Sequence, residues 1–83
     1  MILNVNKTWQ LGDGYMQNKL LELRRDLGLT QQQLSDLAEV SRQTIIAIEA
    51  GKFNPSVALA FKLSRIFHLT IEDIFIFNIG VPK

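Results

Sequence analysis

From Asn18 onward, apolar residues recur every three or four positions, and small polar residues interrupt them where helices begin. The pattern predicts a first helix over about Asn18 to Leu27, with Leu20, Leu23 and Leu27 on one stripe and Gly28 as its stop. Thr30 caps a second helix, and Gln33 three residues on completes a capping box. Leu34, Leu37 and Ala38 are its expected buried face. After a turn at Glu39-Val40, Ser41 caps a third helix that buries Ile45 and Ile48 and ends near Gly51. Lys52 to Ser56 reads as a loop, because Pro55 disfavours helix at Asn54. Ser56 caps a fourth helix burying Leu59, Ala60, Leu63 and Phe67. Thr70 caps a short fifth, Ile71 to about Ile74, with Asp73 placed for a capping contact. Phe75-Ile76-Phe77 is aromatic and β-branched, bounded by Asn78 and Gly80, and reads as a strand.

The expected fold is therefore mainly α: five helices and a small antiparallel sheet. Three segments follow. Residues 1–15 form an N-terminal extension, residues 16–79 the domain with its terminal strands, and residues 80–83 a tail. A strand as apolar as Phe75 to Phe77 needs a cover. Candidates are the segment around Tyr15 to Gln17, the strand-like residues 2–9, or a second copy of the chain. This apolar excess makes Ile74, Phe75, Phe77 and Ile79 the expected dimer interface, although an intramolecular hairpin answers the same need. The extension reads either as a short strand over Ile2 to Trp9 or as a tail. A third reading starts the natural chain at Met16. Codons for Gly12-Asp13-Gly14 resemble a ribosome-binding site just upstream of it.

Composition narrows the class. The 83 residues suffice for one core, and 47% apolar with 20% charged content favours a folded domain. With no cysteine, neither a disulfide framework nor a thiolate metal site can form. No apolar run approaches the roughly 18 residues of a membrane span, and no signal-peptide layout opens the chain, so a cytoplasmic protein without a membrane partner is expected. His68 is the single histidine and has no companion ligand. It reads as a helix-end residue, and Glu72-Asp73 as a helix start where acids suit the dipole. No paired acids, nucleophile motif or phosphate loop is present, so neither an enzyme nor a cofactor is expected.

The chemistry concentrates in Thr30 to Lys52. Two helix starts, Thr30 and Ser41, open short helices joined by a tight turn. That spacing suits a helix-turn-helix, which sets its second helix in the DNA major groove. It equally suits an ordinary pair of core helices with a polar surface. The second helix opens Ser41-Arg42-Gln43-Thr44. Arginine can bond guanine O6/N7 bidentately, and glutamine adenine N6/N7. The net charge of only +1 predicts a narrow positive strip and modest non-specific affinity.

Residues 18–77 resemble the phage-repressor-like helix-turn-helix family, of the Xre or Cro type. The resemblance rests on Gly28-Leu29-Thr30-Gln31, Leu34, Val40-Ser41-Arg42-Gln43-Thr44-Ile45, Ile48-Glu49, Gly51-Lys52, Asn54-Pro55-Ser56 and Thr70-Ile71-Glu72-Asp73-Ile74-Phe75. A small branch of that family adds a β-hairpin from the residues before helix 1 and after helix 5. The chain departs from the common pattern at Ser35, where alanine is usual, and at Glu39, where glycine is usual. It departs also at Ile46, where a small polar residue is frequent. A positive φ at Glu39 would be strained. Ile46 either touches a thymine methyl or packs on its neighbours.

The resemblance implies double-stranded DNA as partner. It implies phosphate contact by Gln31 at the start of helix 2, and base reading by Arg42 and Gln43. Ser41 and Thr44 would meet phosphate or bridge to bases. Lys52 and Asn54 would meet backbone phosphate. It also implies an internal salt bridge between Arg24 and Glu49. Gln32, Arg25, Lys62 and Arg65 are expected to be ordinary surface. The function expected is a sequence-specific transcriptional regulator, a repressor acting as a homodimer on a near-palindromic operator. Two alternatives stand beside it. One is an antitoxin-type module that binds a toxin and its own promoter, which a co-transcribed toxin-like reading frame would favour. The other is a pure protein-interaction domain.

Overall fold

The computed structural model describes residues 17–76. Strand β1, Gln17–Asn18, leads into helix α1, Leu20–Asp26; then follow α2, Gln31–Ala38, α3, Arg42–Glu49, α4, Val57–Phe67, α5, Ile71–Ile74, and strand β2, Phe75–Ile76. β1 and β2 pair antiparallel, Gln17 opposite Ile76 and Asn18 opposite Phe75. Five helices and one small antiparallel sheet are thus present, as the pattern predicts. The strand-like residues 2–9, the start at Met16, and Phe77 and Ile79 lie outside the described residues.

The caps work as the polar punctuation suggests. Thr30 accepts from the Gln33 backbone N–H while the Gln33 side chain accepts from the Thr30 N–H, and Thr70 and Asp73 repeat the arrangement. Ser41 and Ser56 accept from Thr44 N–H and Leu59 N–H. Each such cap satisfies a donor that the helix itself leaves unpaired and contributes about 1 kcal/mol. Gly28 has φ of +71° and ends α1 with the left-handed residue its position requires.

The core unites every helix with β2. Leu20, Leu34, Ala38, Ile45, Ile48, Leu63, Ile74 and Phe75 are sealed inside it, joined by Leu59, Ala60 and Phe67. Full burial of each large side chain stabilises by roughly 1.5–3 kcal/mol.

Three expectations need correction. The first helix begins at Leu20, not Asn18, because Asn18 is taken up in the β-ladder and the Lys19 N–H bonds the Ile74 carbonyl at 2.8 Å. Leu27 is 56% exposed, since α1 ends at Asp26 and the chain turns away from the core there. Leu37 is 54% exposed, and Ser35 takes the buried place instead. At 100° per residue, Leu34, Ala38 and Ser35 centre the inner face and Leu37 falls at its flank. Burying Ser35 is tolerable because its hydroxyl donates to the Gln32 carbonyl at 2.7 Å.

Candidate nucleic-acid interface

Helix α3 is divided cleanly by its sequence. Ile45 and Ile48 are fully enclosed, and this fixes the rotation of the helix on the core. The helical period then turns Arg42, Gln43 and Ile46 outward together. Arg42 and Gln43 are exposed, and Ile46 is half-buried. Among the described residues, neither the Arg42 guanidinium nor the Gln43 amide is engaged in an ion pair or hydrogen bond, so their donors face solvent.

The N-terminal end of α3 is ordered by hydroxyls. Ser41 Oγ accepts from the Thr44 N–H at 3.2 Å and lies 3.0 Å from Thr44 Oγ1. The cap thus presents two neighbouring hydroxyls beside Arg42 and Gln43. Past the other end, the Lys52 N–H donates to the Ala47 carbonyl at 2.9 Å, which brings Lys52 directly onto the helix terminus. Lys52 and Asn54 are both exposed. Gly51, with φ of +77°, makes this exit possible.

The turn preceding α3 holds a non-glycine residue in the left-handed region, at the place where the resembling family usually has glycine. Glu39 has φ of 61° and ψ of 41°, the left-handed region that glycine adopts freely. Its carboxylate accepts from Lys62 Nζ on α4 at 2.8 Å. That hydrogen bond, then the ammonium charge, holds the Glu39 carboxyl below its usual range. Lys62, expected as plain surface, therefore braces the turn.

Beneath the motif, Arg24 and Glu49 form the salt bridge the resemblance implies. Arg24 Nε donates to Glu49 Oε2 at 2.5 Å and Nη2 to Oε1 at 3.2 Å, while Nη1 donates to the Leu29 carbonyl at 2.8 Å. The two side chains are 11% and 6% exposed. The hydrogen bond to Glu49 raises the Arg24 pKa despite the opposing effect of burial. Gln31 joins this cluster, its Nε2 donating to Glu49 Oε1 at 3.0 Å. The residue expected to meet phosphate is therefore tethered to the C-terminal end of α3.

Of the expected site residues, Ser41, Arg42, Gln43, Thr44 and Ile46 lie on one helix and its cap, Gln31 is tied to its far end, and Lys52 and Asn54 follow in the exit loop. The expected dimer residues fare differently. Ile74 and Phe75 are 0% and 1% exposed within the subunit's own core, and their surface is used there. Sequence reading missed Asn18, whose Nδ2 donates to the Ile48 carbonyl at 2.9 Å. An asparagine just ahead of a helix signals a local cap, and nothing in the sequence signals its reach across 30 positions. His68 ends α4 in the left-handed region, φ of 58°, as a helix-end residue. The described residues contain no group of acids or histidines able to hold a metal, and no helix among them is long and apolar enough to cross a membrane.

Capped α2, a tight turn, and α3 with a polar outer face on an apolar anchor define a DNA-binding helix-turn-helix. Residues 20–74 match the family described as Helix-turn-helix. The chain belongs to that family, in its phage-repressor-like (Xre/Cro-type) form, and is a transcriptional regulator of that class. It is 55% identical over 63 residues to an uncharacterised HTH-type transcriptional regulator of Methanocaldococcus jannaschii, a match spanning 76% of this chain and 96% of that one. It is 43% identical over 60 residues to another such regulator, YgzD of Bacillus subtilis, spanning 72% and 91%. The crystal structure of the restriction-modification controller protein C.AhdI from Aeromonas hydrophila is similar in fold. Its TM-score is 0.62 at 25% identity, over 86% of this chain and 96% of that one.

Proposed function

We propose that the protein represses transcription by reading a near-palindromic operator as a homodimer. α3 lies in the major groove, with Arg42 and Gln43 facing base edges and Ile46 against a thymine methyl. Ser41, Thr44, Gln31, Lys52 and Asn54 meet the phosphates on either side. The observation that carries this reading is the outer face of α3. Arg42 and Gln43 are exposed side by side on a helix whose opposite face is locked by Ile45 and Ile48.

The dimer reading rests on apolar surface exposed among the described residues. Ile76 on β2 is 40% exposed although Phe75 beside it is sealed, and Leu69 before α5 is 36% exposed. The surface of α5 and the terminal ladder is therefore our candidate interface. Phe77 and Ile79 continue that sequence. Two reading helices in such a dimer should stand about 34 Å apart, one turn of B-DNA.

Selection of bound duplexes from a random pool tests the reading. An enriched motif with two half-sites one helical turn apart supports it. A pool that stays unenriched through repeated rounds overturns it.

A further inference from the structure

We propose that Asn18 is a positioning residue for DNA reading, clamping the last turn of α3 to the terminal β-ladder; this rests on α3 being the reading helix. The Asn18 backbone pairs with Phe75, and its neighbour Lys19 donates to the Ile74 carbonyl at 2.8 Å. Its side chain divides its two ends between two helices. Oδ1 accepts from the Leu20 N–H at 2.9 Å at the start of α1, and Nδ2 donates to the Ile48 carbonyl at 2.9 Å.

The last carbonyls of a helix have no partner further along it. In α3 the Ile48 carbonyl takes the Gly51 N–H at 2.9 Å and the Asn18 amide besides. One residue on, Glu49 is gripped by Arg24 of α1. The C-terminal end of α3 is thus held by two groups from outside the motif, one of them on the β-ladder. The N-terminal end, which carries Arg42 and Gln43, is held by its own Ser41 cap. α3 has eight residues and is about 12 Å long. A small tilt at its anchored end is therefore carried to the base-reading end. Bidentate base contacts are intolerant of such a shift, whereas phosphate contacts on flexible side chains absorb it. The clamp accordingly acts on sequence discrimination more than on affinity for DNA in general.

Asn18→Ser in the full chain separates the two bonds. A serine hydroxyl can still accept from the Leu20 N–H, but it is too short to reach Ile48, and the net charge is unchanged. The probes are the duplex that the wild-type protein enriches from a random pool and a random-sequence duplex of equal length. Affinity for the enriched duplex should fall about tenfold, while random-duplex affinity and its salt slope stay at wild-type values. Backbone amide exchange at Gly51 and Lys52 should quicken. Asn18→Asp provides a second variant. It keeps the acceptor and regains a donor only when protonated, so its discrimination relative to wild type should recover as pH falls through its carboxyl pKa. A lowered Tm with wild-type discrimination and wild-type exchange would make Asn18 merely structural and overturn the proposal, as would an Asn18→Asp ratio that ignores pH. A wild-type protein that enriches no duplex sinks the reading-helix assignment instead. The amide-exchange comparison then decides the clamp by itself.

Discussion

Single residues of α3 divide the labour between reading and holding. Arg42→Ala or Gln43→Ala should cost roughly 1–3 kcal/mol on the operator and relax base preference at one position. Random DNA should barely respond to Gln43→Ala, since that side chain carries no charge. Lys52→Ala should weaken operator and random DNA alike, and lower the slope of log affinity against log salt by about one unit. Titrations of both DNAs over several salt concentrations distinguish these outcomes. If Gln43→Ala and Lys52→Ala behave alike in both respects, the reading face is misassigned. Beneath that face, Arg24 and Glu49 are nearly enclosed, so removing one strands the other's charge. Arg24→Ala should therefore cost roughly 3–5 kcal/mol in urea unfolding. A loss well under 1 kcal/mol would show that water reaches the pair.

At the scale of elements, two non-glycine residues among those described hold left-handed conformations at helix ends, Glu39 after α2 and His68 after α4. His68→Gly should stabilise by about 1 kcal/mol, because glycine escapes the contact of Cβ with its following carbonyl. An unchanged or lower Tm would show that the His68 side chain contributes more than its strain costs. Glu39→Gly should likewise raise Tm, but it also removes the brace to Lys62. That brace is solvent-exposed and weak at physiological salt, so Lys62→Ala should lower Tm only slightly at neutral pH. Its pH dependence has a definite sign. The folded-state pKa of Glu39 is depressed, so its contribution is present above the usual carboxyl range. It fades as pH falls through the lowered value. The Tm difference between wild type and Lys62→Ala should therefore shrink on acidification.

For the molecule as a whole, the exposed side of the terminal ladder is the proposed dimer surface. Ile76→Asp puts a charge on exposed surface of the subunit and spares its core. It should keep the fold by circular dichroism yet sediment as a monomer and bind the operator weakly. A wild-type chain that sediments as a monomer at high concentration overturns the dimer. Phe75→Ala is the internal counterpart. It opens a cavity in the core and should cost roughly 3–5 kcal/mol.

Helix number, order and caps were legible because they depend on local chemistry. Thr30, Ser41, Ser56 and Thr70 each bond within three residues of themselves, and periodicity finds Ile45 and Ile48 without knowing what they pack against. The reading face of α3 follows from that periodicity, since burying one side of a helix dictates the other. The left-handed backbone at Glu39 was signalled only through the family resemblance, in which glycine is usual at that place. Tertiary structure decided the rest. The three-and-four spacing of Leu34, Leu37 and Ala38 placed Leu37 inside, but the core meets α2 on the side of Ser35, whose hydroxyl has a carbonyl within reach. Asn18 read as helix and became strand, because Phe75 supplied a partner backbone 57 positions away in sequence. Gln31 was tied to Glu49, and Asn18 to Ile48, only once α1, α2 and α3 had converged. Helical spacing encodes which way a side chain points, but not which distant group will stand there when the core closes.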